Sequence, residues 1–177
     1  ASTNISAPIG VLEDFERNIS SDLTVSGSCN QPIQTITDGD DELFLNGNTG
    51  SGDCSIVLNK RIQNNYIFNI SIVENGCAGT VVSKFVHIDI TDGTNNINVF
   101  KENCLSTDYT QYINNFTMKR NTLTSWSWTY LRGLSSSVVG TVDLSTLDQS
   151  KDWNFKFITT TTTSPPTMRI RNINASG

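Results

Sequence analysis

Carboxylate side chains are concentrated near the start of the chain, in the segment LEDFE at 12–16. Glu13, Asp14 and Glu16 are of the residue type that hydrolyses glycosidic bonds, where two carboxyl groups act together. A catalytic pair needs a defined distance between its two carboxyl groups, and the spacing of these residues in the sequence does not specify that distance. The chain also lacks the G-x-S-x-G and H-E-x-x-H motifs. The sequence therefore favours a protein without catalytic residues or enzymatic activity.

The single histidine, His87, lies in the strand-like segment FVHIDI, where it alternates with Phe85 and Asp89. With no nucleophile motif around it, a lone histidine on a strand is more often structural than catalytic. One histidine and four cysteines without a C-x-x-C spacing also argue against a zinc site.

The four cysteines are Cys29, Cys54, Cys77 and Cys104. They indicate two disulfides formed in an oxidising compartment, and three connectivities are open. We favour Cys29–Cys54 with Cys77–Cys104, because neighbouring hairpins would bring these segments together. The corresponding location is extracellular, either secreted or at the cell surface.

Composition narrows the function classes further. The chain has 177 residues and a formal net charge of -5, which suits one domain with a substantial core. No basic cluster is longer than two residues, which argues against nucleic acid as a partner. No apolar run approaches the roughly 20 residues of a membrane span. The chain begins ASTN, with no initiator Met, which we interpret as the start of a processed, secreted protein.

Five N-x-S/T sequons permit covalent glycans on an extracellular protein. Their number is about what chance gives in a chain this rich in Asn, Ser and Thr, so the motif is a weak signal. The candidate glycosylation sites are Asn4, Asn18, Asn69, Asn115 and Asn174.

Twelve strand-like runs follow one another along the chain, separated by Gly, Asn and Asp clusters. Regular short strands with turn residues between them predict an all-β fold, an antiparallel β-sandwich. In the segment HIDITDGTNNINVF, Asp92-Gly93 predicts the turn of a long hairpin.

Two aromatic stripes lie on single strand faces. Trp153, Phe155 and Phe157 form one stripe, which we expect in the core. The other is formed by Trp126, Trp128 and Tyr130, opposite a polar face. We expect this stripe in the core too, and the alternative is an exposed platform that stacks on sugar rings.

The segments LEDFE, DGDDELFLNG at 38–47 and TMRIRNI at 167–173 resemble the opening and closing strands of carbohydrate-binding jelly rolls of the galactose-binding-like type. The resemblance is one of pattern. It extends over most of the chain, and the motifs that carry it are short. It implies a jelly-roll sandwich and a structural Ca²⁺ between the first strands. The implied calcium ligands are Glu16, Asp38, Asp40 and Asp41, and the alternative is a solvated acidic turn.

The first residues alternate like a strand that precedes the main domain. Ile5, Ala7, Ile9 and Val11 share one apolar face. We therefore divide the chain into an extension at 1–11 and a sandwich domain at 12–177. The extension weakly resembles the donor strand of extracellular pilus subunits, which completes the sheet of a neighbouring subunit.

Two functions follow from these features. The main hypothesis is a non-enzymatic extracellular structural subunit that assembles with identical subunits into a filament by strand addition. The alternative is a free-standing, lectin-like module that binds glycans.

Overall fold

The computed structural model describes residues 10–29, 34–35, 42–46, 53–75, 85–103, 113–132, 136–159 and 167–176. Its strands form two antiparallel sheets. The strands of the larger sheet are β1 (Gly10–Glu13), β3 (Gln34–Thr35), β4 (Glu42–Asn46), β6 (Ile67–Asn75), β9 (Ile113–Arg120), β10 (Ser125–Arg132), β11 (Ser136–Asp143) and β13 (Thr167–Ser176). Those of the smaller sheet are β2 (Leu23–Gly27), β5 (Cys54–Leu58), β7 (Phe85–Thr91), β8 (Asn96–Asn103) and β12 (Asn154–Thr159). A 3-10 helix at Ser20–Asp22 precedes β2.

The order in the eight-stranded sheet is β11-β10-β9-β6-β13-β4-β3, with β1 also paired to β13. The order in the five-stranded sheet is β2-β5-β12-β7-β8. The prediction of an all-β antiparallel sandwich of jelly-roll type is confirmed, and the twelve strand-like runs correspond to β2 through β13. The hairpin at Asp92-Gly93 is confirmed too, since Gly93 has a φ of 94° between β7 and β8. No described helix is long and apolar enough to cross a membrane.

Both aromatic stripes lie in the core between the sheets. Trp153, Phe155 and Phe157 are fully buried on β12 and just before it. Trp126 and Tyr130 are also fully buried, and half-buried Trp128 packs against the same cluster. The exposed sugar platform that we considered for these three residues is therefore wrong, because the polar side of β10 faces outward instead.

Strand β1 runs across the boundary that we placed after residue 11. Gly10 and Val11 pair with Ala175 and Asn174 of β13 in the same chain, and Val11 is 63% exposed. Ile5, Ala7 and Ile9 lie outside the described residues, so the division into an extension and a domain stays a prediction. Strand β1 shows that the last two residues of the proposed donor strand pair within the chain's own sheet.

The disulfide Cys29–Cys54 is present, as expected. It joins the segment that follows β2 to the first residue of β5. Cys77 and Cys104 lie outside the described residues, and their pairing stays a prediction.

Loss of the Cys29–Cys54 bond should destabilise the fold. The bond spans 25 residues, and the chain-entropy relation gives about 3.5 kcal/mol for closing a loop of that size. We expect the double variant Cys29→Ala/Cys54→Ala to unfold at a correspondingly lower urea concentration. An unchanged midpoint, or peptide mapping that finds Cys54 bonded elsewhere, would contradict this expectation.

The side chain of Asp92 links the β7–β8 hairpin to the segment after β11 by hydrogen bonds. Its Oδ1 accepts hydrogen bonds from the backbone N–H groups of Thr94 (2.8 Å) and Asn95 (2.6 Å). Its Oδ2 accepts one from the N–H of Asp148 at 2.8 Å. These bonds hold the pKa of the Asp92 carboxyl well below its ordinary value of 3.8, with the one from Asp148 contributing most.

Replacing Asp92 should therefore weaken the fold in a pH-dependent way. A depressed pKa contributes stability that is present above the ordinary value and is lost as pH falls through the folded value. We expect Asp92→Asn to lower the free energy of unfolding by roughly 2–3 kcal/mol at neutral pH and to flatten its loss in acid. Denaturant titrations across pH measure this. Asp143→Asn, at an exposed aspartate that accepts the N–H of Ser145, is the control expected to change little; equal effects would refute the role of Asp92.

Candidate functional site

On the outward side of the five-stranded sheet, several side chains are buried although they point away from the core. On β7, Ile88 and Ile90 point into the core, so the residues between and beside them face away from it. Asp89 is nevertheless only 7% exposed, and Thr91 only 5%. We call this surface the recessed face and define it by His87, Asp89, Thr91, Ser55, Val57, Asn98, Lys156 and Ile158.

A β-bulge places the central pair of side chains on this face. The pairing of β7 with β8 shifts between Ile88 and Asp89, so that Ile88 lies opposite Phe100 while Asp89 lies opposite Asn98. Val99 is the extra residue, and it is buried. Bulges commonly redirect a side chain next to a functional site. Here the bulge brings the amide of Asn98 beside the carboxylate of Asp89.

Hydrogen bonds hold this pair in place. Asn98 Nδ2 donates to Asp89 Oδ1 at 2.8 Å and to the carbonyl of Phe100 at 3.2 Å. The same nitrogen lies 3.4 Å from Nδ1 of His87. A carboxylate, an amide and an imidazole are therefore fixed next to one another, with the side chains oriented before any ligand arrives.

Burial sets the protonation of these groups. It raises the pKa of the Asp89 carboxyl, against the hydrogen bond from Asn98 and the charges of His87 and Lys156. It lowers the pKa of His87, against the nearby Asp89. The imidazole is therefore held toward its neutral form, able to accept or donate a hydrogen bond.

Next to the polar group lie apolar side chains and an unused hydroxyl. Ile158 of β12 pairs with His87 on one side and Ser55 on the other, and it is half-buried. Val57 is half-buried opposite Lys156. Ser55 is 7% exposed, and its Oγ is buried without a hydrogen-bond partner. Polar groups placed together beside apolar side chains are the usual composition of the lining of a small-molecule site.

The carboxylates of LEDFE line a separate depression of about 510 Å³, whose other lining residues are Val11, Leu12, Arg17 and Lys60. Glu13 is 3% exposed, and its Oε1 lies 3.2 Å from Nζ of Lys60. Asp14 accepts the backbone N–H of Glu16 at 3.1 Å, and Glu16 is exposed. The three carboxylates thus lie on one depression, where buried Glu13 is ion-paired with half-buried Lys60.

Of the four residues implied as calcium ligands, only Glu16 lies among the described residues. Asp38, Asp40 and Asp41 lie outside them, while Glu16 is exposed. Among the described residues, no group of three or more His, Cys, Asp or Glu side chains could hold a metal ion. Calcium at the acidic turn stays a prediction.

Four of the five sequons can be placed. Asn18 and Asn115 are exposed. Asn69 and Asn174 lie opposite each other on the outward side of the eight-stranded sheet and are half-buried. Asn69 Oδ1 accepts a hydrogen bond from Thr117 at 2.9 Å. Asn4 lies outside the described residues, and glycosylation at all five stays a prediction.

Solved plant lectins share this architecture over nearly the whole chain. Peanut lectin, solved with a nine-residue peptide, is 9% identical, with a TM-score of 0.63 over 96% of this chain and 97% of that one. The Lotus tetragonolobus seed lectin is 10% identical, with a TM-score of 0.64 over 95% and 98%. The Bauhinia forficata lectin, solved with GalNAc, is 10% identical, with a TM-score of 0.59 over 96% and 99%. The fold is the jelly roll of these lectins. No protein-family model matches the chain, and no curated protein does.

The resemblance to carbohydrate-binding jelly rolls drawn from the sequence is thus confirmed for the fold. The recessed face itself was not predicted. The segment FVHIDI shows the alternation of His87 with Asp89, but a lone histidine on a strand predicts a structural role. A signal was available in the polar residues at alternate positions of an otherwise apolar strand. The sequence does not show that the bulge at Val99 places Asn98 beside these polar residues.

The buried carboxylate of Asp89 should cost the protein stability. Because burial raises its pKa above the ordinary value of 3.8, the folded state loses stability as pH rises through the interval above that value. Asparagine cannot ionise and can still accept a hydrogen bond from Asn98. We expect Asp89→Asn to be at least as stable as the wild type at neutral pH, with its advantage disappearing in acid. Denaturant unfolding across pH measures this, and a variant less stable than the wild type at neutral pH would contradict it.

Proposed function

We propose that this chain is a non-enzymatic, lectin-like protein that binds carbohydrate on the recessed face. The observation that carries the proposal is the buried, outward-facing Asp89, held by Asn98 beside a half-buried Ile158. Sugars present hydroxyl groups next to apolar C–H faces. A fixed carboxylate and amide can bond to the hydroxyls, while an aliphatic side chain packs on the C–H groups.

The surrounding residues support the same function. Ser55 Oγ has no hydrogen-bond partner, and a buried hydroxyl of this kind gains from a ligand group that supplies one. Lys156 lies opposite Asp89 on β12 and adds a donor. The similarity to plant lectins concerns the fold, and it agrees with a binding role without deciding the ligand.

An extracellular location fits the proposal. The Cys29–Cys54 bond is typical of proteins from an oxidising compartment. The filament hypothesis has less support, because Gly10 and Val11 of the proposed donor strand already pair with β13 of the same chain.

The proposal is tested by screening the purified chain on an array of immobilised mono- and oligosaccharides, followed by calorimetry with the best ligand. We expect Asp89→Asn and Asn98→Ala each to reduce affinity by about tenfold or more, the equivalent of a hydrogen bond to a charged group. Asp143→Asn and Asn121→Ala, at exposed positions outside the recessed face, are the matched controls and should bind like the wild type.

Two results would overturn the proposal. One is the absence of binding to any arrayed saccharide by a folded protein. The other is a saccharide whose affinity is unchanged in the Asp89→Asn/Asn98→Ala double variant, which would separate binding from the recessed face.

A further inference from the structure

The depression lined by the LEDFE carboxylates is a second concave surface of the molecule, and the proposed function does not use it. Its volume of about 510 Å³ lies within the range of small-molecule sites. We call it the charged depression and define it by the ionisable side chains that line it, which are Glu13, Asp14, Glu16, Arg17 and Lys60. None of these residues belongs to the recessed face.

Hydrogen bonds fix the backbone around the charged depression. Lys60 Nζ donates to the carbonyl of Leu12 at 2.9 Å, which links β1 to the segment after β5. Gln34 Nε2 donates to the carbonyls of Phe15 at 3.1 Å and of Arg17 at 2.6 Å. Buried Phe15 has a φ of 59°, which is uncommon for a residue other than glycine. The backbone that presents the charged side chains is therefore held in place before any ligand arrives.

Glu13 lies at the floor of the charged depression, since it lines the depression and is only 3% exposed. Its Oε2 accepts the N–H of Asp14 at 3.2 Å. Lys60 Nζ lies 3.2 Å from Oε1, yet Oε1 is buried and accepts no hydrogen bond. A buried carboxylate oxygen in this state is unfavourable, so a ligand N–H that bonds to it stabilises the complex.

Arg17 supplies the complementary donor. Its side chain is exposed, and its guanidinium enters no hydrogen bond or ion pair with a described residue. A guanidinium binds a carboxylate through two parallel hydrogen bonds. The charged depression therefore offers an acceptor for a positive group at its floor and a donor for a negative group on its wall.

The composition of the lining excludes several classes of ligand. Three carboxylates repel a simple anion, and two cations weaken the attraction for a simple cation. A ligand that carries both charges can pair each of them. The described lining residues include no aromatic side chain on which a sugar ring could stack. The described carboxylates also form no group that could hold a metal ion.

We propose that the charged depression binds a free α-amino acid with an aliphatic side chain. The ammonium group of the ligand lies against the carboxylates of Glu13 and Glu16, and its carboxylate binds Arg17. Its side chain packs on Val11, which is 63% exposed, and on half-buried Leu12. The site is separate from carbohydrate binding on the recessed face.

The test is an NMR titration of the isotopically labelled full chain with leucine and two derivatives. Leucinamide lacks the carboxylate charge, and N-acetylleucine lacks the ammonium charge. We expect saturable binding of leucine with a Kd of about 1 mM, and shift changes at the amides of residues 13–17. Each derivative should bind about tenfold more weakly or less, because each loses a charge-assisted hydrogen bond.

Variants assign the two charges of the ligand to their partners. Arg17→Gln should weaken leucine binding about fivefold without weakening leucinamide, which has no carboxylate for Arg17 to bind. Glu16→Gln should weaken leucine without weakening N-acetylleucine. Arg61→Gln and Asp152→Asn are the matched controls, since both positions are exposed and neither lines the depression. Both should bind leucine like the wild type, and circular dichroism checks that all variants fold.

Four results would overturn the proposal. They are no saturable binding of leucine well above 1 mM, a derivative that binds as tightly as leucine, control variants that weaken binding as much as Arg17→Gln, and shift changes confined to the recessed face. Carbohydrate binding is measured separately, and its absence would leave each of these results unchanged.

Discussion

Aromatic contacts between the two sheets are the interaction on which the rest of the structure depends. Phe68 of the eight-stranded sheet meets Phe155 of the five-stranded sheet edge to face, with ring centroids 5.0 Å apart. Near the β8 end, Phe100 contacts Phe116, Trp128 and Tyr130 of the opposite sheet. Burying so many rings contributes a large share of the hydrophobic stabilisation and requires that the inner faces be almost free of polar atoms.

The position of the candidate site follows from this core. Because the inner faces are filled by aromatic and aliphatic side chains, polar groups that act together must lie on an outward face or at an edge. The recessed face satisfies this condition. Burial of Asp89 there lowers the stability of the folded state, while the carboxylate is held in place as a hydrogen-bond acceptor. Asp92, three residues further along the same chain segment, has the opposite effect, since its carboxylate is satisfied by backbone N–H groups.

The five-stranded sheet therefore has a particular role in the proposed function. The five-stranded sheet presents polar side chains across several strands, which suits recognition of a hydroxyl-rich ligand.

The sequence by itself determined the local features of this protein. Alternation of apolar and polar residues predicted the strands, the core position of Trp153 and the hairpin at Asp92-Gly93, because these depend on neighbours along the chain. It also indicated the Cys29–Cys54 bond and the kind of sandwich. Only the tertiary structure decided that Gly10 and Val11 join β13 and that Asn98 meets Asp89. Each of these depends on which strands become neighbours in a sheet and on a one-residue bulge, and a single strand's pattern contains neither.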